Sequence, residues 1–319
     1  MTIHVLGAGV AGLTTALRLC EAGERVVVHE RGTDLSASAS WLAGGMLAPF
    51  CEASVADDSI VAPGLEGIGF WARVTEVERH GTLVVAGGRD AGDLRQFGAR
   101  TRSHRSVGAD ELAGLEPDLA GRFAQALFFE QEAHLDPRRT LASLVRRIEA
   151  RGGSVRFSEP VEPEAFAGQP VVDCCGLAAA LPRLRSVRGE MALVRCPDVT
   201  LRRPVRLLHP RWPIYVVPRA GHVFMIGATM VESAAAGPIT LRSAVELLTA
   251  AFALHPAFAE AEVLEVGSGR RPALPDNLPR VERTASGVAF SGLYRHGFLL
   301  SPAFSQLAAD MLVGAKELA

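Results

Sequence analysis

Residues 3–30 carry the pattern that most restricts what this chain can fold into. Ile3 to Leu6 is a short apolar run. Gly7, Gly9 and Gly12 follow in GxGxxG spacing, and from Ala11 to Ala22 the apolar positions Leu13, Ala16, Leu17 and Cys20 recur at helical spacing. Gly23 supplies a helix stop, and Val26 to Val28 is a second apolar strand. Glu30 closes that strand, 18 residues after Gly12. Each part has a physical job: Gly7 for the tight turn, Gly9 for approach of a pyrophosphate, Gly12 for close packing of helix on strand. The free N–H groups at the helix start hold an anion, and a carboxylate at the end of the second strand accepts from ribose hydroxyls. The spacing predicts a strand–helix–strand dinucleotide site for an adenosine without a 2′-phosphate. GxGxxG alone would be a weak signal; strand, glycines, helix, strand and acid in register are a strong one.

The rest of the chain does not repeat that unit. Residues 33–50 are rich in small residues, offering Ser36, Ser38 and Ser40 as hydroxyls and Gly44 and Gly45 for close backbone approach. Trp41 to Leu47 is too apolar for a solvated linker and suits a flat ligand lying against backbone amides. Ile68, Trp71, Val74 and Val77 predict an amphipathic helix over 64–79, and 90–101 reads as another. Asp136 and Pro137 form an N-cap and first-turn pair for a helix carrying Leu141, Leu144, Val145 and Ile148. Val171 to Gly176 is an apolar strand ending in glycine. Strands are expected at 81–86, 123–129, 187–194, 214–218, 223–228, 264–269 and 288–293. Thr240 caps a helix with apolar positions Leu241, Ala244, Leu247, Leu248, Ala251 and Phe252. Tyr294 to Gly297 reads as a turn, and Ser301-Pro302 as the start of a last helix carrying Phe304, Leu307, Ala308 and Met311.

The fold expected is α/β. A Rossmann-like dinucleotide-binding domain (1–76, 134–186 and 266–319) is interrupted by a mainly antiparallel, α+β substrate domain (77–133 and 187–265). A net charge of −2 implies no nucleic-acid or membrane electrostatics, and no run approaches the roughly 18 apolar residues of a membrane span. The chain opens directly on a strand, which predicts no export. Five scattered cysteines, Cys20, Cys51, Cys174, Cys175 and Cys196, read as reduced thiols of a cytoplasmic protein. No histidine has metal-ligand spacing.

Four segments then share one resemblance: GAGVAG with Glu30, SASWLAGGMLAP at 38–49, Ala133 to Arg138, and GRRPALPDNLP with GLYRHGFLLSP toward the end. Together they resemble the glycine oxidase family of thiamine biosynthesis, within the D-amino-acid oxidase flavoproteins. The segments run in the same order from residue 3 to 302. The resemblance implies non-covalent FAD, oxidation of glycine and similar small amines or D-amino acids to the imine, and reoxidation by O2 to H2O2. The imine would supply the thiazole of thiamine, and a homotetramer is implied as well. The alternative is a dehydrogenase or oxidase of another small amino acid.

Carried over residue by residue, the resemblance places FAD against Gly7, Gly9, Val10, Ala11 and Gly12, with Glu30 and Arg31 at the adenosine. Ser38, Ala39, Ala43, Gly44, Gly45 and Met46 would line the pyrophosphate and flavin. Val161 would approach the adenine, Gly176 the dinucleotide's second half, and Arg295, His296, Gly297, Phe298 and Leu299 the flavin ring. The substrate would meet Arg271, Tyr215, Arg295 and Met230. Burying a carboxylate unpaired is costly, so a guanidinium fork is its natural partner. Arg270 stands where the family has an apolar residue, so the motif leaves open which of Arg270 and Arg271 points inward. His296 stands where the family has asparagine, and the segment between Phe157 and Val187 is shorter than usual. No side-chain base is required if hydride passes from Cα to the flavin.

Overall fold

The computed structural model describes residues 1–54 and 58–314. Two sheets organise them. The first holds six strands in the order Arg280–Thr284, Gly287–Ser291, Val171–Asp173, Thr2–Leu6, Arg25–His29 and Ser154–Arg156. All pairs are parallel except the 280–284/287–291 hairpin. The central strand reads buried at Ile3, His4, Val5 and Leu6, as a parallel strand covered on both faces must. The helix Val10–Glu21 follows it and packs against the helices Pro137–Glu149 and Gly297–Val313. Leu13, Leu17, Val28, Leu141, Phe290 and Leu300 meet in that core.

The second sheet is mainly antiparallel and forms a separate core around Leu83, Val205, Val216, Phe224 and Leu247. Its long strand Arg185–Arg195 pairs with Val223–Gly227 on one side and Glu262–Ala273 on the other. Only the Val205–Leu208 pairing with Thr82–Ala86 is parallel. The helix Leu241–Leu254 lies against this sheet, capped by Thr240 as its sequence requires.

Several expectations are corrected. The strand Glu262–Ala273 runs through Arg270, Arg271 and Pro272 and lies wholly in the second sheet, so a domain boundary at 266 cuts it. Pro272 is tolerated because its backbone polar groups face away from Arg185–Arg195, toward Tyr294. The Tyr294 N–H donates to the Pro272 carbonyl at 2.9 Å and asks for no N–H in return. The first amphipathic helix spans Val61–Val74 rather than 64–79, and Glu78 instead bridges His134. Of the apolar helix positions, Leu241, Phe252 and Leu307 are exposed.

The last helix starts at Gly297, with His296 as its N-cap, so the turn at 294–297 is one residue shorter than expected. Ser301 is no cap, and Pro302 lies inside the helix. A proline there has no N–H for the carbonyl four residues back. That carbonyl is Phe298's, and the buried Trp71 indole donates to it at 2.6 Å. A side chain from another helix thus replaces the bond that proline removes.

Candidate cofactor and substrate site

One cavity of about 630 Å3 begins at the glycine turn and ends between the two sheets. That volume lies within the usual range of small-molecule sites. Its first part is built by the opening strand–helix unit. Gly7 sits at φ +96°, and a Cβ there would meet the Cys174 carbonyl oxygen at 2.6 Å. Gly9 caps the first helix without a side chain, leaving the early amides to the cavity or to a ligand. One of them, Val10 N–H, donates to Ser40 Oγ at 3.0 Å. Gly12 lies outside the lining; a Cβ there would stand 1.9 Å from the Gly7 carbonyl oxygen. Its job is helix-on-strand packing, so it drops from the cofactor contacts expected above.

Glu30 ends the second strand, buried and fixed by two backbone donors, Ala8 N–H at 2.7 Å and Gly32 N–H at 2.8 Å. Each carboxylate oxygen keeps a lone pair for a ribose hydroxyl. Arg31 and Val161 line the same end. The short 158–162 segment still reaches it because Glu159 N–H donates to the Glu30 carbonyl at 2.9 Å.

Ser38, Ala39, Ala43, Gly44, Gly45 and Met46 form the middle wall opposite Gly176. Gly45, at φ +71°, packs on the Leu135 carbonyl, where a Cβ would be 2.2 Å away. Arg219, missed in the sequence, donates to the Gly44 carbonyl at 2.6 Å; burial lowers its pKa to about 10. Arg138 covers the Trp41 ring at 4.6 Å and makes a two-pronged ion pair with Glu265 at 2.8 and 2.9 Å. The middle wall is thereby tied to the second sheet. His296, Gly297, Phe298 and Leu299 close the cavity from the start of the last helix.

The far end answers the question of the two arginines. On an extended strand neighbouring side chains point to opposite faces. Arg270 is exposed, and Arg271 turns in, stacked so closely over Gly189 that a Cβ there would lie 2.1 Å from its guanidinium carbon. Arg271 Nη1 donates to the Thr229 carbonyl at 3.1 Å, and burial lowers the guanidinium's pKa. Tyr215 lines the same end, its ring against Gly44 and Gly227. Met230 is half exposed at the rim and accepts from Arg295 Nη1 at 3.0 Å and from Tyr294 Oη at 3.6 Å.

Two further wall residues escaped sequence reasoning. Glu52 is buried, paired with Arg206, and takes Arg295 Nη2 at 3.4 Å. Burial opposes its charge, but the guanidiniums of Arg295 and Arg206 and the His296 ring hold its carboxyl well below the usual carboxylate range. His296, itself buried, is held below the usual histidine range by burial. The available signal for Glu52 was an acid two residues after Phe50 in an otherwise apolar segment.

The cradle fits an adenine-linked flavin: glycines where backbone must approach, an uncapped helix start, and a fixed carboxylate. A family model described as FAD dependent oxidoreductase matches residues 2–311. The chain is 52% identical over 318 residues to a Rhizobium etli protein named provisionally as the thiamine biosynthesis oxidoreductase ThiO, covering 98% of this chain and 97% of that one. It is 27% identical to a glycine oxidase of Geobacillus kaustophilus, covering 99% and 94% of the two chains. A crystal structure of glycine oxidase from that organism superposes with a TM-score of 0.85 at 23% identity, over 98% of this chain and 94% of that one.

Proposed function

The chain belongs to the FAD-dependent oxidoreductase family, and from that premise we propose that it oxidises glycine and similar small amino acids to the imine. One observation carries the reading. Arg271 is turned in against Gly189 at the end of a cavity whose other end is the glycine turn, while Arg270, also part of the lining, is exposed to solvent. When bound, FAD supplies the two-electron acceptor for the Cα hydride and passes the electrons to O2, giving H2O2.

The chain's own residues bind and orient. Arg271 takes the substrate carboxylate as a guanidinium fork, and the Tyr215 hydroxyl adds a second bond. Arg295 and Met230 border the substrate at the rim. Gly44 and Gly45 bring backbone close to the flavin, and the positive end of the Gly297–Val313 helix favours negative charge beside it. The walls exclude water from the reacting carbon.

Supply of the imine to thiamine's thiazole belongs to the same proposal, supported by the R. etli relative's name. So do a cytoplasmic location, which the five free cysteines support, and a homotetramer, which sedimentation reads directly. No described helix is long and apolar enough to cross a membrane. The test is anaerobic titration of the yellow protein with glycine, sarcosine and D-alanine. Bleaching by glycine is expected; a flavin that stays oxidised with all three overturns the reading.

A further inference from the structure

The end of the cavity that holds Arg271 is strongly cationic. Arg206 and Arg295 stand with Arg271 in its wall. Four acids line the whole cavity, but Glu30, Glu159 and Glu162 belong to the Arg31 and Val161 end. Arg270 also lines the cavity but is exposed to solvent; among the described residues Glu52 is the one acid that answers the three inner guanidiniums. It is 7% exposed, bonded through Oε1 to Arg206 and Arg295, and its Oε2 lies 3.5 Å from His296 Nδ1 with no hydrogen-bond partner. Behind it, Cys51 N–H donates to Glu132 at 2.7 Å, and Glu132 is not among the residues that line the cavity.

A wall with three fixed cations and no acid would take any small anion. Glycine differs from acetate only by its amino group, cationic in the free zwitterion. A carboxylate in the wall raises affinity for the zwitterion and lowers it for the plain anion, because like and opposite charges are felt strongly in a poorly hydrated pocket.

We propose that Glu52 is the specificity residue that makes this pocket select a zwitterion over a plain carboxylate. The inference rests on the reading of the cavity as an amino-acid site. The same carboxylate stabilises the positive charge that develops on the substrate nitrogen as hydride leaves Cα, without itself taking a proton. It also holds the bound ammonium protonated to higher pH, since an opposite charge nearby favours the charged form.

The test uses the FAD-loaded protein, with acetate and glycine as probes. Acetate binding is read from perturbation of the flavin absorbance, and glycine from steady-state kinetics across pH. In Glu52→Gln, acetate should bind roughly tenfold more tightly or better while KM for glycine rises roughly tenfold or more. The acidic limb of the kcat profile should move to lower pH, because the bound ammonium loses its stabilising partner. Glu52→Asp keeps the charge and should retain the wild-type order of affinities, which also covers the case in which the amide variant fails to fold. Parallel weakening of both ligands in Glu52→Gln, an unmoved acidic limb, or an inverted preference in Glu52→Asp would each overturn the proposal. A wild-type protein that binds neither acetate nor glycine would instead refute the amino-acid reading beneath it.

Discussion

Gly189→Ala isolates the aim of one guanidinium. Gly189 lies on the central strand Arg185–Arg195 with backbone angles that any residue accepts, so alanine costs nothing in backbone strain. Its new Cβ would stand 2.1 Å from the Arg271 guanidinium carbon, whereas ordinary contact begins at 3.4 Å. The guanidinium must therefore retreat by about 1.3 Å, the difference between those two distances. It is the far end of a flexible side chain, so it moves and the strand stays. A misplacement of about 1 Å at a substrate-holding group costs on the order of a hundredfold in rate. The expected result is a kcat/KM for glycine about a hundredfold lower, carried mainly by KM, with FAD bound and thermal stability near wild type. The assay is steady-state oxygen uptake beside the visible flavin spectrum. Because both changes act on one guanidinium, adding Gly189→Ala to Arg271→Ala should cost almost nothing more. An unchanged KM in a folded yellow protein would refute the assignment of Arg271 to the carboxylate.

Three other perturbations test the scaffold and the cofactor seat. Trp71→Phe leaves the Phe298 carbonyl buried without its donor, and should lower stability by about 1–3 kcal/mol in urea unfolding. Glu30→Gln turns one of two backbone N–H contacts into a donor facing a donor, and should raise the FAD dissociation constant about tenfold or more, read from released flavin fluorescence. Burial lifts the Glu132 carboxyl from an ordinary 4.5 to about 7. The folded state therefore holds that proton more tightly than the unfolded chain, and Glu132's contribution is full below pH 4.5 and lost as pH rises through 7. The difference in stability between wild type and Glu132→Gln, from urea unfolding across that window, should fall as pH rises. Buried His134, lowered to about 3, slopes the opposite way in both proteins and cancels in the comparison.

The opening unit was legible because its signals are local. Gly7, Gly9 and Glu30 act within one strand–helix–strand, and their spacing alone brings them to one end of the cavity. Gly12 was legible as a packing residue for the same reason, and its place among cofactor contacts came only from grouping it with its neighbours. Asp136 and Thr240 capped where expected, since a cap needs nothing beyond the next three residues. The last helix was misread because Ser301-Pro302 has the local chemistry of a start, while the donor that makes an internal proline tolerable comes from Trp71, more than 200 residues away. Glu52, Arg206 and Gly189 were invisible for a related reason: their meaning lies in contacts between segments far apart in the chain, which no spacing encodes. The choice between Arg270 and Arg271 needed only the strand's face, and that became readable once its pairing with Arg185–Arg195 was known.

The placement of Arg271 on one sheet and of the glycine turn on the other has a consequence of its own. The approach of substrate to its oxidant is then a property of the seam between two independently packed cores, not of any single contact. Slackening at the Arg138–Glu265 staple would leave the colour of the protein and every pocket residue unaltered, yet slow turnover. Variants chosen for activity would therefore be expected to accumulate along that seam as readily as inside the pocket.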